Sequence, residues 1–516
     1  MDTSVTTSTV DAVVRRSAGR HPDRTALRAQ TPSGPDRTWT YRELDDAVSR
    51  VARFLLGRGL TKGDRVATYG RNSDAYLLAY LGCARAGLVH VPINYALFGE
   101  ELRYLVTDCA ASLVLADPDL RDTVAPEVPD GVPLGLLQGD DDSLLAHAST
   151  GDATAPDVEV VDTDVVQLLY TSGTTSRPKG AIMTHRALLH EYVSSIVALG
   201  LSPDDRPLHP MPLYHSAQMH VFLLPYLAVG ADNHLMTAPD VPEILRRVEA
   251  DRIGSLFLAP TVWVPLTNHA DFGSRDLTSL HKLHYGASIM PASAVQRLQQ
   301  GCPGAGLYNC FGQSEIGPLA SVLQPAEHAD RPASCGREVL FVETRVVDEA
   351  GDDVDPGTPG ELLYRSPQLC QGYWGKPEAT EEAFRDGWFH SGDMVTRDDA
   401  GYLTVVDRIK DVINTGGVLV ASREVEDALY THPAVAEVAV IGTPHERWIE
   451  AVTAFVVLRD GADPASSDEA SLIEHTRSRL AAFKRPKRVL FVDDLPRNGS
   501  GKLLKRVLRD DPRVAG

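Results

Sequence analysis

TYRELDDAVSRVARFLLGRGLTKGDRVATYGRNSDAYLLAYLGCARAGLVHVPI, residues 40–93, decides the fold class. Thr40 followed by Glu43 reads as a capping box, and Leu44, Val48, Val51 and Leu55 recur at helical spacing until Gly57 and Gly59 end the element. Residues 64–69 read as a strand, Leu78, Leu81 and Ala84 mark a second helix that stops at Gly87, and residues 89–93 read as the next buried strand. Helices alternating with strands imply an α/β fold with a parallel sheet.

Outward from this stretch, residues 117–157 are acidic, carry several Gly and Pro, and read as surface connection with short irregular elements. Beyond Gly351 the turns Asp355-Pro356-Gly357, Thr358-Pro359-Gly360 and Asp386-Gly387 separate short alternating runs, which predicts a small antiparallel region. Residues 407–411 are strongly charged. After them Ser422 is placed to cap a helix with Glu424 and Glu426 in its first turn, Pro433 stops that helix, and residues 435–441 are strand-like. A small C-terminal α+β domain is expected. A chain of 516 residues has room for more than one core and for a cleft.

Hydrophobic residues at 43% and charged residues at 23% belong to an ordinary globular protein. With 50 basic and 70 acidic side chains the net charge is −20, which argues against general affinity for nucleic acid or anionic membrane. Any anionic ligand must meet locally concentrated positive charge. Cys83, Cys109, Cys302, Cys310, Cys335 and Cys370 show no C-x-x-C spacing, so neither a disulfide framework nor a thiolate zinc site is expected, and a cytoplasmic location is. The start Met1-Asp2-Thr3-Ser4 is acidic and polar, and the most apolar run, 221–229, is interrupted by Pro225 and too short to span a bilayer. Neither a signal peptide nor a membrane span is expected.

Between the apolar runs 165–170 and 181–183 lies Thr171-Ser172-Gly173-Thr174-Thr175-Ser176-Arg177-Pro178-Lys179-Gly180. Successive hydroxyls and a backbone freed by Gly173 can donate to phosphate oxygens, and Lys179 supplies a compact positive charge. It is not a Walker loop: neither Lys179-Gly180 nor Gly501-Lys502-Leu503 has the required Gly-Lys followed by Ser or Thr. Composition alone leaves a polar turn between strands equally open.

Preceded by Tyr170, this segment resembles Y-T-S-G-T-T-G-x-P-K-G, the signature of the ANL superfamily of adenylate-forming enzymes, which holds acyl-CoA synthetases, peptide-synthetase adenylation domains and luciferases. Similar segments follow in order from Thr40-Tyr41-Arg42-Glu43-Leu44 to Gly501-Lys502, so the resemblance covers the whole chain. It is nearest to stand-alone acyl-CoA synthetases. One departure is Ser176, where the signature has glycine; it should stiffen the loop. The resemblance implies an N-terminal domain over 1–406, built of layered α/β subdomains plus a small β-barrel-like region, a hinge at 407–411 and a mobile C-terminal domain over 412–516.

The resemblance also assigns roles. Thr171, Ser172, Gly173, Thr174, Thr175 and Lys179 would hold the ATP phosphates. Gly286, Ala287 and Ser288, in His284-Tyr285-Gly286-Ala287-Ser288, would line the adenine and acyl pockets. In Tyr308-Asn309-Cys310-Phe311-Gly312-Gln313-Ser314-Glu315, Asn309 would bond adenine, Phe311 stack on it, Gly312 let the backbone pass, Ser314 touch phosphate and Glu315 ligate Mg²⁺. Asp393, in Trp388-Phe389-His390-Ser391-Gly392-Asp393, would accept from both ribose hydroxyls, with Arg408 reaching the ribose and Lys410 at the hinge. Lys502, in Pro496-Arg497-Asn498-Gly499-Ser500-Gly501-Lys502, would contact the acid and the α-phosphate, and Gly416 and Gly417 would approach a pantetheine tunnel. The implied reaction joins AMP to a carboxylate and passes the acyl group to a thiol, with ATP, Mg²⁺ and coenzyme A taking part. Lys179, Glu315, Lys502 and His215, whose ring would swing between half-reactions, are its catalytic set.

His209, His215 and His220 could suggest a metal, but the segment has no H-E-x-x-H, thiolate pair or carboxylate, so structural or pocket-lining roles are expected. Residues 213–222 lack the acidic side chain that amino-acid-activating relatives place there, which favours a non-amino acid. His215, Met219, Val221, Trp263, Tyr285 and Gly286 are the candidate acyl pocket, leaving fatty, aromatic and alicyclic acids open. Residues 418–421 are more apolar than the common pattern after the tunnel glycines, which weakens the expectation of thiol transfer. Lys484-Arg485-Pro486-Lys487-Arg488 offers either charge for CoA phosphates or a solvated basic surface. An acyl carrier protein or a separate ligase as acceptor, and a non-catalytic nucleotide-binding protein, remain the alternatives, and the sequence leaves the oligomeric state open.

Overall fold

Helix Tyr41–Gly57 starts at the predicted capping box: Glu43 N donates to Thr40 Oγ1 at 3.2 Å, and Thr40 N donates to Glu43 Oε2 at 2.8 Å. The second predicted helix is Asp74–Ala86, closed by Gly87 in the left-handed conformation. The strands between and after them are Arg65–Tyr69 and Val89–Ile93, paired in parallel. The computed structural model describes residues 7–31, 34–171, 177–288, 290–415, 418–445, 448–459, 461–462, 467–497 and 503–514. The described residues fall into two compact units, one from 1–172, 178–343 and 365–389, the other from 173–177, 344–364 and 390–516.

The first unit holds two sheets. A six-stranded sheet runs in the order Leu134–Leu136, Leu113–Ala116, Arg65–Tyr69, Val89–Ile93, Val165–Thr171, Lys179–Thr184, parallel except for the last pair. A nine-stranded sheet carries the parallel run Thr25–Ala29, Asn233–Leu235, Pro207–His209, Ser255–Leu258, Lys282–Gly286, Gly306–Phe311, with antiparallel strands beyond each end. All thirteen residues of helix Asp74–Ala86 are buried, as expected of a helix covered on every side. The region 117–157 is more ordered than the sequence suggests: it adds the edge strand Leu134–Leu136 and the helix Leu144–Ser149, which buries Leu144, Leu145 and Ala148. Elements of three and six residues are too short to show a period.

In the second unit the small antiparallel region is built on strands Glu343–Val347, Gly360–Arg365, Trp388–Arg397 and Leu403–Arg408, beginning ahead of Gly351. The C-terminal α+β part has a sheet ordered Val418–Val420, Ile413–Thr415, Ile449–Leu458, Val435–His445, with Arg488–Phe491 parallel to Ile449–Leu458. Helices Ser422–Tyr430 and Glu469–Thr476 bury Val425, Leu429 and Leu472 against it. Ser422 is not the cap of its helix. It is the first helical residue, and the capping acceptor is Asp407, whose Oδ2 takes Ser422 N at 2.7 Å, Ser422 Oγ at 2.6 Å and Arg423 N at 3.4 Å. Of the two glutamates expected in the first turn, only Glu424 lies there. Among the described residues no helix is long and apolar enough to cross a membrane.

Burying helix Asp74–Ala86 on all sides takes Arg85 with it, and its guanidinium is neutralised by Asp11 at 2.7 Å and by Asp45, with Ser49 Oγ at 2.6 Å. Arg85→Ala should therefore lower the stability of this unit by about 3 kcal/mol, because buried Asp11 then keeps only the half-exposed Arg15 as a counter-charge. An unfolding free energy, from urea titration, that fell by less than a third of that amount would contradict the assignment.

Candidate active site

The phosphate-loop segment closes a hairpin. Strands Val165–Thr171 and Lys179–Thr184 pair antiparallel with Thr171 opposite Lys179 and Tyr170 opposite Gly180. Ser172, Gly173, Thr174 and Thr175 lie outside the described residues. A third segment runs beside the hairpin: Trp374 N donates to Gly180 O at 2.8 Å, Ile182 N to Gly372 O at 3.0 Å, and Ala181 forms a bridge with Tyr373. This carries the Tyr373 ring to Lys179, whose Nζ stands 5.2 Å from the ring centroid.

Glu315 completes the cluster from the short turn Ser314–Ile316. Its backbone carbonyl is fixed by Cys370 N at 2.8 Å, and its Oε1 accepts from Thr171 Oγ1 at 3.1 Å and Tyr373 Oη at 3.2 Å. The carboxylate is buried, at 7% exposure, yet keeps Oε2 without a hydrogen-bond donor among the described residues. Burial first, and the adjacent Glu315 charge second, push the Tyr373 phenol far above its usual range, so it remains a donor to the carboxylate. Among the described residues no group of three or more His, Cys, Asp or Glu gathers to hold a metal. A single hard carboxylate with one uncommitted oxygen suits a cation that takes its other ligands from phosphates and water, as Mg²⁺ does.

Beside this cluster Ser314 Oγ lies 2.9 Å from Ser216 Oγ, which joins the turn to the segment carrying His215. His215 is half-buried, and its Nδ1 accepts from Ala217 N at 3.4 Å. Asn309 donates to Ser334 O at 2.9 Å from strand Gly306–Phe311. Gly286, at the end of the neighbouring strand, lies opposite Cys310, and Ala287 follows at φ 64°. Ala287 and Ser288 are exposed. The chain then turns sharply after Phe311: a Cβ on Gly312 would stand 1.9 Å from Pro318 O and 2.9 Å from Ala320 N.

The remaining acyl-pocket candidates are closed off from solvent. Met219, Val221, Trp263 and Tyr285 are each no more than 3% exposed, with Trp263 Nε1 donating to His284 O at 3.0 Å and Tyr285 Oη 3.2 Å from His328 Nε2. Met219 and Val221 lie on a π-helical turn, Ala217–Leu223, a local departure from α-helix that often accompanies function. His209 and His220 are core residues: His209 bonds Asn233 and Gln218 at 2.9 and 2.8 Å, and His220 bonds Gln167 and Tyr192 at 2.7 and 3.0 Å. Burial lowers their pKa values to about 4 and about 3.

In the second unit Asp393 and Arg408 face each other across antiparallel strands, with Arg408 Nε 2.7 Å from Asp393 Oδ1. Asp393 N donates to Ser391 Oγ at 3.0 Å. Lys410 is exposed in the turn Ile409–Asp411, and its carbonyl accepts from Arg509 Nη2 at 3.1 Å, which also pairs with Asp411 at 2.7 Å. Gly416, Gly417 and Lys502 lie outside the described residues. In the basic run, Lys484 pairs with Glu424 at 2.6 Å, while Lys487 Nζ donates to Ala482 O and Arg488 Nη2 to Arg513 O, so much of its positive charge is engaged within the unit.

Two residues of this geometry were absent from the sequence reading. Tyr373 sits in Gln371-Gly372-Tyr373-Trp374, whose only signal is a pair of aromatics after a turn glycine. Ser216 directly follows His215 and shows no pattern of its own.

Thr171, Lys179 and the braced Glu315 carboxylate are brought together, a set that can meet a polyphosphate and a hard cation. The chain belongs to the family of AMP-binding enzymes, whose model matches residues 14–374, while the AMP-binding enzyme C-terminal domain matches residues 424–502. It is 40% identical over 473 residues to a feruloyl-CoA synthase of Amycolatopsis, covering 91% of this chain and 93% of that one. It is 34% identical to an indoleacetate–CoA ligase of Aromatoleum aromaticum, covering 96% of both. Its structure resembles ATP-bound MatB from Rhodopseudomonas palustris with a TM-score of 0.87 and 32% identity, covering 98% of this chain and 99% of that one.

Because both atoms that crowd Gly312 are backbone, Gly312→Ala should displace the turn that carries Ser314 and Glu315. Strain of this kind costs on the order of 1–3 kcal/mol, so ATP affinity measured by calorimetry should fall about tenfold. Wild-type affinity in the folded variant would mean that the turn does not serve the nucleotide.

Proposed function

We propose that this protein is an ATP-dependent acid–thiol ligase that converts a non-amino-acid carboxylic acid to its acyl-AMP and then to its coenzyme A thioester. The observation that carries the reading is Glu315, held on one oxygen by Thr171 and Tyr373 beside Lys179. In the first step a carboxylate oxygen of the acid attacks the α-phosphorus, the α–β bridging P–O bond breaks, and pyrophosphate leaves. No protein nucleophile is required; two anions must be held together and the charge of the transition state neutralised. Thr171, Ser172, Gly173, Thr174 and Thr175 bind the phosphates, and Lys179 and Lys502 supply fixed positive charge. Bound Mg²⁺, held by Glu315, contributes charge neutralisation on the phosphate oxygens. Gly286, Ala287, Ser288, Asn309, Phe311 and Gly312 hold the adenine, and Asp393 takes the ribose hydroxyls, with Arg408 orienting its carboxylate.

In the second step the thiol of CoA gives up its proton to water, its sulfur attacks the acyl carbonyl, the bond from the acyl carbon to the phosphate oxygen breaks, and AMP leaves with the electron pair. The C-terminal part rotates at Lys410 between the steps, exchanging Lys502 for Gly416 and Gly417. His215, Met219, Val221, Trp263, Tyr285 and Gly286 form the acyl pocket. The 40% identity to a feruloyl-CoA synthase, against 33% to a long-chain-fatty-acid–CoA ligase, supports an aromatic acid. Pyrophosphate exchange over arylpropenoic, arylacetic, benzoic and fatty acids tests this, with CoA added afterwards: exchange should be strongest with an aryl acid and the thioester should follow. Strongest exchange with a fatty acid would sink the aryl assignment, and acyl-AMP without thioester would point to another acceptor.

Replacing Lys502 with Ala should slow acyl-AMP formation by about 10²-fold, the scale of a lost preorganised charge contact, and leave conversion of supplied acyl-AMP plus CoA intact. Lys410→Pro should do the reverse, because fixing φ at the pivot blocks rotation while the first conformation still forms acyl-AMP. Equal slowing of both half-reactions by either variant would refute the division of labour.

A further inference from the structure

Helix His185–Leu199 carries a glutamate that the reaction above does not use. Glu191 is wholly buried, and among the described residues no basic side chain pairs with it. Its Oε1 accepts from Ser195 Oγ at 3.0 Å and from Leu319 N at 3.2 Å, and its Oε2 accepts from Gln368 Nε2 at 2.6 Å. Burial pushes its pKa well above the ordinary carboxyl range, so the fold retains this group against a substantial desolvation cost.

What the carboxylate grips is the turn that presents Glu315. Leu319 N is one of its donors, and Gln368, its other partner, also donates to Ile316 O at 3.2 Å and Leu319 O at 3.1 Å. Ser194 Oγ fixes the amide orientation by donating to Gln368 Oε1 at 2.6 Å. Gly317 lies against the same carboxylate: a Cβ there would stand 2.9 Å from Glu191 Oε2. Two residues beyond Gln368, Cys370 N holds Glu315 O, and three further on Tyr373 Oη bonds Glu315 Oε1. The backbone that follows Glu315 is thus tied, through Glu191 and Gln368, to one helix.

We propose that Glu191 is a positioning residue for the adenylation step, acting through Gln368 and the 316–319 backbone to hold the Glu315 carboxylate toward the cation that accompanies ATP. This rests on the reading of Glu315 as the cation ligand. A purely apolar core could pack the helix against this turn, but it could not satisfy Leu319 N and orient Gln368 toward two carbonyls at once.

The test uses Glu191→Gln in the full chain. An amide must turn its NH₂ toward either Leu319 N or Gln368 Nε2, both of which only donate, so one grip on the turn is lost. The loss of one hydrogen bond on the turn corresponds to about tenfold, and calorimetry should show ATP in the presence of Mg²⁺ binding about tenfold more weakly. Pyrophosphate exchange should fall by a similar factor, while conversion of supplied acyl-AMP with CoA changes less than about twofold. Ser195→Ala removes a single donor; it should weaken MgATP binding about threefold with a smaller loss of stability than Glu191→Gln, and it carries the test if Glu191→Gln does not fold. The proposal is overturned if MgATP affinity is unchanged in the folded variant, or if both half-reactions fall by one common factor, as a merely structural role requires. Glu315→Gln separates the two layers: if it leaves MgATP affinity unchanged the Glu315 reading fails, whereas loss of affinity there with none at Glu191 defeats only the positioning role.

Discussion

Glu315 accepts hydrogen bonds from Thr171 and Tyr373, and those two contacts set the geometry of the first unit's site. They join three segments far apart in sequence: the end of a sheet strand, a short turn after the strand Gly306–Phe311, and a stretch laid along the edge of the hairpin. A carboxylate at 7% exposure is costly to bury, and two hydroxyl donors offset part of that cost while leaving one oxygen for a cation. Lys179 needs no salt bridge to be placed here. Its backbone is fixed by pairing with Thr171, and the Tyr373 face gives the ammonium a favourable surface.

The α/β alternation was legible because helices Tyr41–Gly57 and Asp74–Ala86 carry their own start and stop signals close by, in Thr40, Glu43 and Gly87. The cap of Ser422–Tyr430 was not, because its acceptor, Asp407, lies fifteen residues upstream and only the folded chain brings it to the helix start. Thr171, Lys179, Ser314 and Glu315 were singled out by motif, and the structure gathers them. Tyr373 and Glu191 escaped for opposite reasons. Tyr373 belongs to a segment too short to have a period, while Glu191, Ser194 and Ser195 form a polar stripe at helical spacing that reads as a solvent face and is instead fully buried.

Net charge −20 would by itself repel a nucleoside triphosphate, so binding depends on how the negative groups are neutralised locally. Several acidic side chains of the first unit are tied to arginines, among them Asp11 and Asp45 to Arg85, Asp36 to Arg247 and Asp74 to Arg37. Arg247 and Asp36 illustrate the strength of such coupling, since their mutual hydrogen bonds lower the carboxyl pKa and raise that of the guanidinium.

The charged stretch at 407–411 is bound to the C-terminal helices from both ends, and this bears on where a pivot at Lys410 would meet resistance. Asp407 lies before the pivot, yet its carboxylate holds Ser422, which lies after it. Arg509 holds Lys410 O and Asp411 on the far side. A rotation about Lys410 can keep the Arg509 contacts, because Asp411 and the helix Lys505–Arg509 move together, but it must open the Asp407–Ser422 bonds. Those are charge-assisted and uncap the helix Ser422–Tyr430 when broken, a cost of a few kcal/mol in all. Lys505 Nζ, which reaches Ser422 Oγ and pairs with Glu426 at 2.8 Å, would then remain to hold the helix start. Under the proposed rotation, the conformation in which Asp407 caps the helix would be one well of a two-state element, and the strength of that cap would help set the balance between the wells.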